Sequence, residues 1–393
     1  MSLEDVSLET ICPLTDEERC RCLAEKCPIY YNFSINLMES CYMESCFISK
    51  KALDDRTLIQ VTTVYTIIFI IGLIGNLVTC VVIRRHPMLK THSSHYLLNL
   101  ACADLVTLCV GLPFEVVMNW NQYPWPFPDF VCNLKALIAE TTISVSILTI
   151  LLFSIERYIA VCHPFIFVKM KPLRNNVHYF LIFTWVISII CAIPFAIHHR
   201  ADFMLKDWPY TNNGQPVISS KMCMIAVMFD HQLLTTFKFL FHFSAIMFFV
   251  IPLSIIFILY VLISYHISSS RKGLQRSETI EDGHLRVTFI LTAIILAFFV
   301  CYLPFQIQRL AFFYFDNSEF FSMLNQYVYF ISGFLFYLAT IINPILYNLV
   351  STRFRKASRE VIISLLFNQP IQSQKFKSTV KYTIASQKSR SDE

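Results

Sequence analysis

The run LIQVTTVYTIIFIIGLIGNLVTCVVI, Leu58 to Ile83, carries no charged side chain. It exceeds the ~20 apolar residues that a helix needs to cross a bilayer core. Four further runs share its character: Tyr96 to Met118, Tyr179 to Ile197, Phe243 to Ile263 and Val287 to Phe305. Two less pure segments join them. Cys132 to Ile159 holds Lys135, Glu140, Glu156 and Arg157, and Tyr327 to Val350 holds Asn343 and Pro344. Helices of a soluble protein show a polar stripe, and these mostly do not. Composition agrees, because only 15% of the residues are charged where soluble chains carry roughly a quarter. The expected fold is an all-α membrane protein: a seven-transmembrane-helix bundle with a short amphipathic eighth helix.

The 393 residues divide into a leading tail (1–57), the bundle (58–350), an amphipathic membrane-surface helix (351–367) and a polar tail (368–393). Connections are short and leave no room for a second folded domain. Eleven Lys and Arg fall in loops on one side, among them Arg84, Arg85, Lys169, Lys171, Arg271 and Lys272; four fall on the other, Arg200, Lys206, Lys221 and Arg309. The basic side is therefore expected to be cytoplasmic and the N-terminus extracellular, as in a multi-pass plasma-membrane protein. Met1 to Thr10 has no apolar h-region, so the first span is expected to act as the signal anchor. The net charge of +5 then sits beside the inner membrane face and implies membrane lipid, not nucleic acid, as its partner.

The leading tail holds six cysteines, Cys12, Cys20, Cys22, Cys27, Cys41 and Cys46. Outside the cell they can form up to three disulfides, with about 15 pairings open; a zinc cluster is the other reading. Asn32-Phe33-Ser34 is a glycosylation sequon. At the other end, Arg353 to Lys356 with Val361, Ile362, Leu365 and Leu366 has the spacing of an amphipathic surface helix that Pro370 ends. Ser373, Ser378, Thr379, Ser386, Ser389 and Ser391 lie beyond it. Phosphorylation there by a receptor kinase would create an arrestin site.

Within the spans, Asp104 is an ionisable group at membrane depth, which is costly and points to function. With Ser146 and Asn343 it reads as a polar core or the seat of an allosteric sodium ion, or else as a locally satisfied packing acid; no other cofactor or metal is expected. The third span ends in Glu156-Arg157-Tyr158. Pro194 and Pro252 interrupt the fourth and fifth spans, with Tyr260 two turns after Pro252. The sixth reads Phe298-Phe299-Val300-Cys301-Tyr302-Leu303-Pro304 and the seventh Asn343-Pro344-Ile345-Leu346-Tyr347. Proline in a membrane helix makes a hinge whose freed carbonyls neighbours must satisfy. In this order the residues resemble the rhodopsin-like G-protein-coupled receptors over about residues 58 to 367. The resemblance implies that Asp104 and the Asn343-Pro344-x-x-Tyr347 residues couple ligand binding to helix movement. It also implies that Arg157 is held by its neighbouring acid at rest and meets a heterotrimeric G protein when the sixth helix swings out, facing Tyr260 and Tyr347. Tyr302 stands where the family usually has Trp. A disulfide from Cys132 to Cys223, as in most of the family, is implied too.

Two carboxylates lie deep on the outer side, Glu115 and Glu140, and Arg309 is a candidate partner from the sixth helix. An internal Glu140–Arg309 ion pair and the binding of a basic ligand group are both open readings. Ala139 stands where amine receptors have Asp, and Tyr337 where opsins have Lys. Phe312, Phe313, Tyr314 and Tyr329 add aromatic surface near the mouth. Gly111-Leu112-Pro113-Phe114-Glu115-Val116, Tyr123-Pro124-Trp125, Arg309-Leu310 and Ser332-Gly333-Phe334-Leu335-Phe336-Tyr337-Leu338 are similar to the receptors for neuromedin U and the insect pyrokinins, although Pro128 and the cysteine-rich tail depart from that group. That similarity implies a C-terminally amidated peptide ligand whose penultimate Arg meets Glu115 and Glu140, and signalling through Gq and calcium. The alternatives are another peptide with Gi or Gs coupling, or a transporter. The seven unlike spans lack the internal repeats of a transporter, and scattered histidines give no enzymatic site.

Overall fold

The computed structural model describes Met43, Tyr314 and residues 49–206, 215–228, 231–273, 278–311 and 319–368. The six tail cysteines, Asn32, Phe312, Phe313 and the tail beyond 368 lie outside the described residues. The chain forms helices α1 (Asp55–Arg85), α2 (His92–Trp120), α3 (Asp129–Cys162), α4 (Val177–Ile197), α5 (Leu234–Gly273), α6 (Glu278–Ala311), α7 (Glu319–Val350) and α8 (Thr352–Phe367). Among the described residues six helices are long and apolar enough to cross a membrane, namely α1 to α5 and Tyr327–Leu349 within α7. The described apolar part of α6, Ile295–Ala311, is shorter.

The apolar character explains both faces of these helices. Ile59, Ile67, Ile70 and Ile74 of α1 and Phe239, Val250 and Phe257 of α5 remain exposed, as side chains facing lipid do. The opposite faces make one core that includes Tyr65, Leu100, Leu108, Ile147, Phe249, Ile256 and Phe336. α3 is the most buried of these spans and α4 the least, and α3 packs on α2, α4 and α5. It is therefore the axis from which functional side chains can reach several partners. Gly75 allows α1 to approach α7, since a Cβ there would lie 3.0 Å from the Pro344 ring.

The helices run past the apolar runs that mark them. α5 starts at Leu234, ahead of Phe243, and α6 and α7 start at Glu278 and Glu319, ahead of Val287 and Tyr327. Of the loop expected from Ile267 to Gly283, residues up to Gly273 and from Glu278 onward are helical. Two five-residue π turns, Thr107–Gly111 and Ile246–Val250, each end two residues before a proline, Pro113 and Pro252. Proline lacks the N–H and crowds the preceding turn, and a widened turn absorbs that defect.

Capping is conventional. Asp54 accepts from the Thr57 backbone N–H at 3.1 Å at the start of α1, and Ser351 from that of Phe354 at 3.2 Å at the start of α8. Asn368 ends α8 with φ 50°, a left-handed conformation that Asn tolerates better than most side chains. His86 Nε2 meets Glu360 at 3.0 Å and ties α8 to the end of α1.

The connection after α4 contains a β-hairpin, β1 (His199–Phe203) antiparallel to β2 (Lys221–Ile225), with Ala201 opposite Cys223. Cys223 is disulfide-bonded to Cys132 in the first turn of α3. Asn133 donates to the carbonyls of Ala196 at 2.9 Å and His199 at 2.6 Å, and the Trp125 N–H donates to the Lys221 carbonyl at 2.7 Å. The hairpin is thereby anchored at one end of the bundle, held to α3 and to the α2–α3 connection.

Candidate ligand-binding site

Below the hairpin two acids and two cations share the bundle end. Glu115 follows the π turn of α2, accepts a 2.8 Å hydrogen bond from the Tyr329 hydroxyl of α7 and lies 4.0 Å from Lys135 Nζ of α3. Gly111 leaves room for the Tyr337 hydroxyl, because a Cβ there would sit 3.2 Å from it. Glu140 of α3 is held at two points by Arg309 of α6, Nη2 to Oε1 at 2.6 Å and Nη1 to Oε2 at 3.3 Å. The Arg309 guanidinium is caged by the rings of Phe241 at 4.3 Å, Phe305 at 5.2 Å and Phe195 at 5.5 Å. Planar, weakly hydrated guanidinium suits such a cage, where ring faces add to the ion pair.

The two acids therefore differ in availability. Glu140 already has a tight, buried partner, while the contact of Glu115 with Lys135 is at the outer limit of an ion pair. Of the two, Glu115 is the acid that an incoming cation can claim without breaking a short bond. His199 of β1 completes the rim, its Nδ1–H donating to the Phe195 carbonyl at 2.8 Å. Burial pushes its pKa down to about 4, and the nearby charges of Lys135 and Arg309 act in the same direction against the opposing Phe195 bond. The ring is consequently neutral at physiological pH.

A file of aromatic rings leads from this end into the core. Tyr65 meets Tyr337 at 5.6 Å, Tyr337 meets Phe336 at 5.0 Å, Phe336 meets Tyr302 at 5.5 Å, and Tyr302 stacks on Phe298 at 4.0 Å. Tyr302 is buried at 3% exposure, two residues before Pro304, the proline inside α6. It occupies the junction of α6 and α7.

Deeper, Asn343 Nδ2 donates to Asp104 Oδ2 at 3.0 Å. Pro344 follows Asn343 inside α7. Asn76 donates to the carbonyls of Gly72 and Thr340 at 2.9 and 3.0 Å, bridging α1 to the turn of α7 before the proline. Ser146 is buried in α3. A second polar tie joins α4, α2 and α3: Trp185 donates to Asn99 at 2.9 Å and Asn99 to Thr149 at 2.8 Å.

At the end away from the hairpin, Arg157 Nη2 lies 3.5 Å from Glu156 Oε1 and its guanidinium packs over Phe153 at 5.0 Å. Tyr158 contacts His163 at 3.3 Å. Tyr260 and Tyr347 are buried, and the Tyr347 ring meets Phe354 of α8 at 6.0 Å. The residues named from the sequence thus fall into three groups along the bundle. Lys135 was visible only as an impurity of its span, and the cage of Phe195, Phe241 and Phe305 had no sequence signal, because it draws on three separate helices.

Residues 75–347 match the model of the rhodopsin family of 7 transmembrane receptors. Neuromedin-U receptor 2 of Mus musculus is 33% identical over 315 residues, covering 77% of this chain and 75% of that receptor. The pyrokinin-1 receptor of Drosophila melanogaster is 32% identical over 367 residues, covering 77% and 80% respectively. Neuromedin-U receptor 2 of Homo sapiens is 33% identical over 313 residues, covering 78% and 72%.

Proposed function

This chain belongs to the rhodopsin family of seven-transmembrane receptors and resembles its neuromedin U and pyrokinin receptors; from that premise we propose that its ligand is a C-terminally amidated peptide whose Arg pairs with Glu115. It is a multi-pass plasma-membrane protein and not an enzyme, and its family implies a peptide ligand and a G-protein partner. The observation that carries the finer reading is the loose 4.0 Å contact between Lys135 and Glu115 beside the closed Glu140–Arg309 pair. A guanidinium binds carboxylate in a planar fork that ammonium cannot match, so a peptide Arg displaces Lys135 from Glu115. Glu140, through Arg309, shapes the neighbouring wall.

The hairpin end faces outward in this reading, which accords with the disulfide there and with basic residues gathered at the other end. Ligand contact with Tyr329 and Phe336 passes along the aromatic file to Tyr302, which takes the place of the usual Trp. Arg157 then leaves Glu156 to meet Gq, with arrestin and receptor kinase acting on the distal tail and α8 lying on the inner membrane surface. Calcium release in cells expressing the chain, challenged with amidated peptides ending in Pro-Arg-x-amide, tests this. The expected result is a response that Arg-to-citrulline replacement abolishes. Equal responses to both peptides would remove the carboxylate pocket, and silence with surface expression confirmed would redirect the search to another peptide or to Gi or Gs.

Asp104, Ser146 and Asn343 would hold a sodium ion that favours the resting state. Sodium in place of a bulky organic cation is then expected to lower agonist affinity, and Asp104→Asn to remove that dependence. Sodium sensitivity retained in the variant would contradict the assignment.

A further inference from the structure

A second cavity opens at the end away from the hairpin. It encloses about 160 Å³ and lies between α3, α4, the start of α2 and the short helix Pro164–Lys169. Leu152, Ile155 and Ile159 of α3, Phe167 of the short helix and Phe180 of α4 make its apolar walls. Leu152, Ile155, Glu156 and Ile159 have the i, i+3, i+4, i+7 spacing of one helix face, so Glu156 is a carboxylate set into an otherwise apolar stripe. Tyr96 is the other polar residue of the lining.

Glu156 has acceptor capacity to spare. An ionised carboxylate offers about four lone-pair sites, and Arg157 reaches it at one point, at 3.5 Å. The Glu140–Arg309 pair of the same protein, with contacts at 2.6 and 3.3 Å, shows what a filled site looks like. The cavity also borders lipid: Phe180 and its neighbour Tyr179 are exposed on a helix apolar enough to cross the membrane.

We infer that this cleft is a site for a single-chain membrane amphiphile with a cationic amine head, the chain lying on the apolar walls and the ammonium on Glu156. A carboxylate head is disfavoured by repulsion from Glu156. A hydroxyl head gains an uncharged hydrogen bond there, weaker than the charge-assisted one. Because the amine and Arg157 share one acceptor, occupancy loosens Arg157.

The test uses the full chain in lipid nanodiscs and three photoreactive probes with the same sixteen-carbon, diazirine-bearing chain (~16 carbons spans about half a bilayer core): an amine, an alcohol and a carboxylic acid. Crosslinked peptides are mapped by mass spectrometry. The amine is expected to label α3 or residues 164–180 roughly tenfold more than the alcohol, the worth of a charge-assisted hydrogen bond. Glu156→Gln should erase that advantage, and Ile159→Trp, which fills the cleft, should abolish labelling; Leu152→Trp serves where Ile159→Trp fails to fold. Equal labelling by the three heads, or labelling untouched by the tryptophan that does fold, overturns the proposal. Neither outcome bears on the peptide reading, since no peptide is present.

Discussion

Arg309→Met is expected to cost the ligand-free protein more stability than any other single change at the hairpin end. Removing the guanidinium leaves the Glu140 carboxylate, 13% exposed, buried without its partner, and breaking a buried pair from one side costs ~3–5 kcal/mol. The aromatic cage of Phe195, Phe241 and Phe305 also loses its cation. Glu140→Gln added to Arg309→Met removes the stranded charge, so the double variant should recover most of the loss. Thermal unfolding in detergent and the fraction reaching the cell surface, both without ligand, read this. A double variant no better than Arg309→Met would mean that the cation–ring packing, not the charge balance, is what Arg309 supplies.

The second large effect belongs to the hairpin. The disulfide closes a sequence separation of 91 residues, and losing a native disulfide costs roughly 2–5 kcal/mol in small secreted domains. In a membrane bundle the helices persist, so the loss falls on the hairpin and the first turn of α3. Asn133, which fixes the end of α4 and β1, and Lys135 stand in the turn that follows. Cys132→Ser, Cys223→Ser and the double variant are each expected to lower peptide affinity by about 30-fold or more, equally and without additivity, because any one of them opens the same bond. Additive losses would mean that the two cysteines act separately.

The bundle was legible because lipid leaves a compositional mark: a span such as Leu58 to Ile83 cannot satisfy water. Helix ends were less so, since hydropathy reports contact with lipid while α5, α6 and α7 continue as helix beyond it. Pro252 announced irregularity, but not the π turn ahead of it, which depends on how neighbouring helices refill the backbone. The hairpin was hidden inside a polar connection. Glu115, Glu140 and Arg309 were conspicuous as charges in apolar sequence, and a Glu140–Arg309 pair was one of two open readings, yet the choice between them and the loose Lys135 partner of Glu115 are facts of helix rotation, the pair joining residues 169 positions apart. Local patterns do not encode it.

Pairing of a peptide Arg with Glu115 is best tested by a two-by-two binding measurement: the chain and its Glu115→Gln variant, each with an Arg-bearing amidated peptide and its citrulline analogue. A charged hydrogen-bonded pair is worth ~1.5–3 kcal/mol, so Glu115→Gln should weaken the Arg peptide by roughly 10- to 150-fold and change the citrulline peptide little. Equal losses for the two peptides would contradict the pairing and leave Glu115 as a partner of Tyr329 and Lys135 alone.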